Sequence, residues 1–212
     1  MLAIDAVKVR YAASPGIRLP SVKLAAGEQC LLLGPSGCGK TTLLHVAAGL
    51  LRPESGSVRV AETDLAALDG AALDRFRGRH IGIVFQRLHL IPSLTVLQNL
   101  TAAQYCAGLP VDAAAARAVL ARLGIENKAG AFPAQLSQGQ AQRASIARAI
   151  VNGPRLILAD EPTSSLDDAN AMLVLDLLMQ QAQECNAVLL IATHDARTRY
   201  AIDQRIELGS AP

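Results

Sequence analysis

Two short segments of this 212-residue sequence carry residue types suited to the chemistry of phosphate groups. The first, residues 34–41, follows the pattern G-x-x-x-x-G-K-[ST] between an apolar strand-like run and a helix-like run. Its glycines let backbone N–H groups turn toward an anion, and the N-terminus of the following helix favours negative charge. We predict that phosphates contact Gly34, Pro35, Ser36, Gly37, Cys38, Gly39, Lys40, Thr41 and Thr42.

Within this loop the last two motif residues have separate expected roles. Lys40 is expected to reach the β- and γ-phosphates of a nucleotide, and the Thr41 hydroxyl to hold Mg²⁺. A glycine-rich turn that ends in Lys-Thr by chance is the alternative. The strand before the loop and the helix after it are the context that phosphate binding requires, so we favour the phosphate site.

The second segment, residues 156–161, consists of four apolar residues followed by Asp160 and Glu161. A buried parallel strand delivers such acids at its carboxyl end, the edge where ligands bind in parallel sheets. We predict that Asp160 holds Mg²⁺ and that Glu161 is the general base for an attacking water. An acidic pair after a strand is ordinary by itself. The prediction therefore depends on the phosphate loop upstream.

The composition indicates the framework that must position these residues. Half of the chain is hydrophobic but only 3% is aromatic, with no Trp, so the core is expected to consist of Leu, Ile, Val and Ala. Strands are predicted at residues 4–9, 17–24, 30–33, 57–60, 81–85, 156–159, 188–192 and 202–208. Helical runs are predicted at residues 41–51, 95–123, 137–151 and 168–184. Strands alternating with helices predict one α/β domain, residues 1–212, with a helical subdomain at roughly 88–152 inserted into it.

Several other classes of protein and site are disfavoured. The net charge is +2 and no Lys/Arg run stands out, so we expect no nucleic-acid partner. The four cysteines are scattered, which indicates reduced thiols rather than a disulfide framework or a zinc site. No signal peptide and no transmembrane helix is visible in the sequence. A role at a membrane would therefore require docking through a partner.

A third segment, residues 136–140 (Leu-Ser-Gln-Gly-Gln), comes just before a predicted helix. Ser137 is a natural N-cap, and a helix start beside a glycine forms a second anion site. The segment resembles the signature of the ATP-binding-cassette (ABC) family, LSGGQ, with Gln138 in place of the first glycine. The resemblance implies that Ser137 and Gly139 contact the γ-phosphate and that Gln140 belongs to the same site.

Four further features resemble ABC motifs in their order along the chain. Gln86 ends a strand as the family's Q-loop glutamine does, and His194 follows a strand as its switch histidine does. Ser165-Leu166-Asp167 resembles the D-loop, and Tyr11 falls where the family places an aromatic residue that stacks on adenine. Each is weak evidence alone. Together with the three segments above, they occur in the family's order over nearly the whole chain. The chain is therefore identified as a member of the ABC-type nucleotide-binding domains.

The resemblance implies a P-loop NTPase fold of ABC type, with a mainly parallel core sheet, an N-terminal antiparallel β part and the inserted helical subdomain. It implies ATP and Mg²⁺ as ligands, with Gln86 sensing the metal or its water and His194 contacting the γ-phosphate. Two copies are expected to close head-to-tail, so that Ser137 and Gly139 of one cap the ATP of the other. An integral-membrane permease is the expected second partner, which would hold this chain on the cytoplasmic face of the inner (plasma) membrane.

Residues 85–100 are similar to the corresponding stretch of ATPases of the lipoprotein-release and macrolide-efflux group. The exporter-type acidic loop with Glu-Arg-Gly is absent before the signature, and we expect no regulatory C-terminal domain. The alternatives are the ATPase of an importer of small, amino-acid-like solutes and a cell-division ATPase. A soluble ABC ATPase acting on nucleic acid or ribosomes, and an inactive binding module, are weaker. Intact Lys40, Asp160 and Glu161 argue against the last of these.

Overall fold

The computed structural model describes residues 1–10, 16–164, 166–195, 198 and 200–209. Its strands are Leu2–Val9 (β1), Ile17–Arg18 (β2), Val22–Leu24 (β3), Gln29–Leu33 (β4), Ser55–Val60 (β5), Thr63–Asp64 (β6), Ile81–Val84 (β7), Leu156–Asp160 (β8), Val188–Thr193 (β9) and Arg205–Glu207 (β10). Its α-helices are Lys40–Ala47 (α1), Gly70–His80 (α2), Val96–Cys106 (α3), Ala113–Arg122 (α4), Gln138–Ile150 (α5) and Asp168–Glu184 (α6).

A parallel sheet in the order β10-β4-β9-β8-β7 forms the centre of the protein. All of β9 and nearly all of β4 and β8 are buried, because these short runs of Leu, Ile, Val and Ala are covered on both faces. Leu33 pairs with Thr193, and Asp160 pairs with Ala192. The carboxyl ends of β4, β9 and β8 therefore lie side by side at one edge of the sheet.

The second sheet is antiparallel and contains the N-terminal strands in the order β2-β1-β5-β6, with β3 also paired to β1. The register between β1 and β5 shifts between Asp5 and Lys8, and Ala6 there has φ of 49°. This geometry is that of a β-bulge, which bends a strand and increases its twist. The predicted fold, a mainly parallel core with an antiparallel N-terminal part, is confirmed.

Three helices, α3, α4 and α5, lie between β7 and β8 in the chain and pack on one another through buried Leu100, Leu120 and Ile146. Thr95 and Gln98 form a capping box at the start of α3. The side-chain amide of Asn99 donates to the carbonyl oxygens of three residues before α3. These helices correspond to the predicted inserted block, and its outer bounds of 88–152 stay a prediction.

The structure differs from the predicted elements in several places, including the division of the helical run 95–123 into α3 and α4 and the unpredicted strand β6. Residues 17–24 form two short strands rather than one, because Pro20, which has no N–H to donate, interrupts the pairing between them. Helix α2 was not predicted, since its only buried residue is Leu73 and its apolar periodicity is weak. Asp69 caps this helix by accepting from Ala72 N at 3.0 Å. Among the described residues, none of the helices combines the length and hydrophobicity that crossing a bilayer requires.

The packing of α5 on β7 leads to a stability prediction. A Cβ on Gly82 would overlap the carbonyl oxygen of Ala149 in α5 and approach Pro154 Cγ at 3.2 Å. A backbone carbonyl inside a helix cannot move aside cheaply, so Gly82→Ala should lower the free energy of unfolding by about 2–3 kcal/mol. Gly70→Ala is the matched control, because no atom lies within 4 Å of its added Cβ.

Urea unfolding of the two variants and the unaltered chain measures this difference. We expect a lower midpoint at an unchanged m-value for Gly82→Ala, and a midpoint near that of the unaltered chain for Gly70→Ala. Equal midpoints for both variants would contradict the close packing of β7 against α5.

Candidate active site

Residues 34–39 connect the end of β4 to the start of α1 in a tight turn. Gly37 and Gly39 have φ of 81° and 101°, a region that side-chain-bearing residues rarely adopt. Gly39 is the N-cap of α1. Because the first N–H groups of a helix lack partners within it, the loop and the helix start together offer several donors to an anion.

Lys40 occupies the inside of this loop and is only 7% exposed. Its Nζ donates to the carbonyl oxygens of Gly34 at 2.8 Å and Pro35 at 3.0 Å. The two carbonyl oxygens satisfy two of the three donors of the ammonium group but carry no formal charge to pair with it. The loop therefore presents a positive charge where a phosphate could replace those carbonyl contacts.

Thr41 and Asp160 meet where the loop faces the end of β8. The Thr41 hydroxyl donates to Asp160 Oδ2 at 2.8 Å. Burial raises the pKa of Asp160 above its ordinary value, while the hydrogen bond from Thr41 acts in the opposite direction. A hydroxyl and a carboxylate oxygen are ligands suited to Mg²⁺, so this pair fits a divalent cation. The described residues contain no cluster of three His, Cys, Asp or Glu side chains for a metal, so phosphate oxygens would have to supply further ligands.

Glu161 follows β8 with φ of 47°, an uncommon value for a residue with a side chain. Its N–H donates to Ala192 O at 2.8 Å, which extends the pairing of β8 with β9 by one residue. Its Oε1 lies 2.7 Å from His194 Nδ1, and its Oε2 accepts from the Thr193 hydroxyl at 3.3 Å. Two consecutive residues at the end of β9 thus hold the two oxygens of this carboxylate.

A cavity of about 290 Å³ joins the phosphate loop to the acidic strand end. It is lined by Ile17, Ser36, Gly37, Gly39, Lys40, Thr41, Thr42, Gln86, Asp160, Glu161 and His194. Except for Ile17, all of these were predicted site residues. The structure brings them together from the carboxyl ends of β4, β7, β8 and β9 and the segments that follow these strands. The cavity thus combines a basic loop, a hydroxyl–carboxylate pair suited to a metal ion and the carboxylate of Glu161. Such a combination can bind a polyphosphate and activate a water.

Gly34, Pro35 and Cys38 lie at the back of the loop. Gly34 and Pro35 line a second cavity of about 370 Å³, together with His194. Cys38 is 8% exposed, and its Sγ lies close to Gly34. These three residues shape the loop, and a ligand would reach their backbone groups rather than their side chains.

The signature residues lie elsewhere. Ser137 Oγ accepts from Gln140 N at 3.3 Å, and Gln140 Oε1 accepts from Ser137 N at 3.0 Å, which forms a capping box at the start of α5. The described residues that line the cavity do not include Ser137, Gly139 or Gln140. One chain therefore does not bring the signature to its own phosphate loop.

Two predicted features fall wholly or partly outside the described residues. Tyr11, the predicted adenine contact, and Ser165 of the predicted D-loop lie there. The rest of the D-loop is described: Leu166 N donates to Thr163 O at 3.1 Å. Asp167 is the N-cap of α6, and the backbone N–H of Asn170 lowers the pKa of its carboxyl group.

Sequence reasoning missed several residues around the site. Ile17 lines the cavity, but nothing in its local pattern distinguishes it from any strand residue. Thr163 and Thr193 are fully buried, and the Thr163 hydroxyl donates to Asp195 Oδ2 at 2.9 Å, which joins the loop after β8 to the loop after β9. A hydroxyl residue directly beside the predicted histidine is the one signal that could have indicated Thr193.

The chain is similar to several known proteins. Residues 18–164 match the family model described as ABC transporter. An uncharacterized ABC transporter ATP-binding protein of Mycobacterium tuberculosis is 42% identical over 98% of this chain. The lipoprotein-releasing system ATP-binding protein LolD of Treponema pallidum is 42% identical over 84% of this chain and 79% of its own length. The macrolide export ATP-binding/permease protein MacB of Shigella flexneri is 43% identical over 89% of this chain and 29% of its own length.

A solved structure is also similar over the full length. The dimeric post-hydrolysis state of the ATP-binding cassette MJ0796, bound to ADP and Pi, superposes with a TM-score of 0.88 and 30% identity, and covers 100% of this chain and 97% of that one. By contrast, this chain spans only 58–63% of the length of the mycobacterial relatives it matches.

The buried ammonium group of Lys40 leads to a binding prediction. Lys40→Ala removes the positive charge inside the loop, so we expect the affinity for ATP to fall at least about tenfold, the size of one charge-assisted hydrogen bond. Lys23→Ala is the control, because Lys23 is exposed on β3, away from the cavity. Titration with a fluorescent ATP analogue measures both variants, and unchanged affinity of Lys40→Ala would contradict a phosphate site here.

Cys38 offers a chemical test of the same loop. A bulky maleimide should react quickly with Cys106, which is exposed, and slowly with Cys38, which is buried. We expect the slow reaction to abolish ATP binding, because the added group fills the loop, and ATP to protect against it. The Cys38→Ser variant is the control and should keep its ATP affinity after labelling. Full ATP binding by chain labelled at Cys38 would be inconsistent with phosphates in this loop.

Proposed function

Because this chain belongs to the ABC transporter family, we propose that it binds and hydrolyses ATP as the ATP-binding part of an ABC transporter. The observation that carries the proposal is the convergence of Lys40, Thr41, Asp160, Glu161 and His194 on one cavity. These side chains supply a cation, a metal-binding pair and a base, which are the components that phosphoryl transfer to water requires.

ATP would bind with its phosphates in the loop before α1. The N–H groups at the start of α1 would donate to phosphate oxygens, and Lys40 Nζ would exchange its carbonyl partners, Gly34 and Pro35, for the β- and γ-phosphates. Because the exchange replaces neutral acceptors with charged ones, it strengthens the hydrogen bonds of the ammonium group. Tyr11 is the proposed stacking partner of the adenine, as the resemblance to the family implies.

Mg²⁺ would be held by Thr41 and Asp160, with Gln86 facing the same cavity. When bound, it would neutralise charge on the β- and γ-phosphate oxygens. The hydrogen bond from Thr41 to Asp160 already places a hydroxyl oxygen and a carboxylate oxygen 2.8 Å apart. The chain's own residues thus provide part of the coordination, and the nucleotide and water would provide the remainder.

Hydrolysis would use Glu161 as the general base. Glu161 accepts the proton of a water whose oxygen attacks the γ-phosphorus, while the bond from that phosphorus to the bridging oxygen of ADP breaks. His194, whose ring nitrogen lies 2.7 Å from Glu161, would contact the γ-phosphate and limit movement of the carboxylate. Lys40 stabilises the charge on the transferring group.

A second copy of the chain would complete the site. Ser137 and Gly139 lie at the start of α5 and do not line the cavity of their own chain within the described residues. In a head-to-tail pair they could cap the ATP of the other copy, which would make ATP part of the interface. The relative MJ0796 forms a dimer. Charge repulsion between ADP and phosphate would release the pair after hydrolysis.

The proposed membrane partner is an integral-membrane permease, which would hold this chain at the cytoplasmic face of the inner membrane. The lipoprotein-release and macrolide-efflux group is the proposed type, because LolD and MacB proteins are 42–43% identical over most of this chain. Gln86 begins the segment proposed to contact the permease, since it connects the cavity to the residues before α3.

Replacement of the proposed base tests both hydrolysis and dimerisation. Glu161→Gln keeps the size of the side chain but removes the base, so we expect the hydrolysis rate to fall by about 10²- to 10⁴-fold while ATP binding remains. Bound ATP should then hold two copies together, which size-exclusion chromatography in ATP and Mg²⁺ would detect as a dimer.

Glu126→Gln serves as the matched control, because Glu126 is exposed between α4 and α5 and away from the cavity. It should hydrolyse ATP like the unaltered chain and elute as that chain does. Glu161→Gln that stays monomeric at saturating ATP would count against the dimer, and an unchanged rate would exclude Glu161 as the base.

A further inference from the structure

The carboxylate of Glu161 is held from two sides by residues of unequal exposure. His194 Nδ1 lies 2.7 Å from Oε1, but the His194 side chain is 59% exposed. The Thr193 hydroxyl donates to Oε2 at 3.3 Å, and Thr193 is fully buried. Water can compete for the contact with His194 far more readily than for the contact with Thr193. The buried contact is therefore the one that constrains the carboxylate in the absence of ligand.

The orientation of the Thr193 hydroxyl is itself fixed. The backbone N–H of Asp195 donates to Thr193 Oγ1 at 2.9 Å, so the hydroxyl accepts from one side and has its hydrogen free for Glu161 Oε2. Thr193 is the last residue of β9, and its pairing with Leu33 of β4 holds its backbone. A hydroxyl with both roles satisfied on a paired strand is a rigid hydrogen-bond donor.

The hydroxyl of Thr193 reaches the proposed reaction through its contact with Glu161. Glu161 and His194 line the 290 Å³ cavity with Lys40. Thr193 is not in that lining, and it instead lines the 370 Å³ cavity, which His194 also lines. The backbone of Glu161, with φ of 47°, is in a sparsely populated conformation that persists only where the surroundings determine it. The contact from Thr193 is one of the interactions that do so.

We propose that Thr193 is a positioning residue, whose hydroxyl holds Oε2 of Glu161 so that the carboxylate directs its free lone pairs toward the attacking water. This role rests on the proposed ATP hydrolysis. Without the hydroxyl, the carboxylate rotates about its terminal bond and spends less time aligned with the water. The proton still passes from water to Glu161 as the bond to ADP breaks, but alignment becomes less frequent.

Three variants of the full chain test this role, with hydrolysis and ATP binding both measured. Thr193→Val keeps the shape and β-branching of the side chain but removes the hydroxyl. We expect kcat to fall about 10- to 100-fold, the loss of one hydrogen bond to a charged group, with KM and ATP affinity within about threefold. Thr193→Ser restores the hydroxyl and should recover kcat to within about threefold of the unaltered chain.

Thr198→Val is the matched control. Thr198 is fully buried, and its hydroxyl donates to Asp195 O at 2.7 Å without contacting Glu161. Its kcat should stay within about twofold of the unaltered chain, a change smaller than the loss of one net hydrogen bond. Combining Thr193→Val with Glu161→Gln should add no further loss, because the carboxylate that Thr193 positions is already absent.

The outcomes separate this role from the proposed function. If the unaltered chain hydrolyses ATP and Thr193→Val matches its kcat, Thr193 has no positioning role and the proposed function stands. Failure of Thr193→Ser to restore kcat, or an equal loss in Thr198→Val, would identify a general disturbance of the loop and overturn the proposal. If the unaltered chain does not hydrolyse ATP, the proposed function is wrong and the role of Thr193 with it.

Discussion

The register of the parallel sheet is the constraint on which the candidate site depends. Leu33 lies opposite Thr193, and Asp160 lies opposite Ala192, so the three central strands end at one edge within a residue of each other. A slip by one residue would turn the side chains of a strand to its other face. The buried Leu, Ile and Val of both faces therefore position Glu161 and His194 as well as stabilise the core.

Charges of opposite sign lie close together at this edge, but within the described part of the chain the ammonium group of Lys40 is bonded to carbonyl oxygens rather than to Asp160 or Glu161. Lys40 is bonded to carbonyl oxygens, and the two acids are bonded to hydroxyl and imidazole groups. A buried charge whose hydrogen-bond partners are neutral is costly, and this applies to Lys40 and to Asp160. A polyphosphate with a divalent cation would bring negative charge to Lys40 and positive charge to Asp160, so that binding relieves both costs. We infer that the site is organised to bind a ligand that carries both charges, namely a polyphosphate with its divalent cation.

The local sequence was sufficient to predict much of the site. The other site residues could be recognised only from contacts between distant parts of the chain. The phosphate loop was predicted from its G-x-x-x-x-G-K-[ST] pattern between an apolar run and a helical run, and Asp160 and Glu161 from the buried strand predicted before them. His194 was predicted from its resemblance to the family's switch histidine. Helix α2 was missed because it buries one residue and has little periodicity. Thr193 and Thr163 were missed because their importance comes from partners 32 residues away, which spacing along the chain does not reveal.

The central claim is that one chain holds half of an ATP site. The most direct test measures the hydrolysis rate and the molecular mass in the same samples. The hydrolysis rate per chain would be recorded over a dilution series in ATP and Mg²⁺, with light scattering reporting the fraction of dimer. The proposed head-to-tail pair predicts that the rate per chain falls in proportion to the dimer fraction. Monomeric chain that hydrolyses ATP at the full rate would contradict it, because Ser137 and Gly139 of a second copy would then be unnecessary.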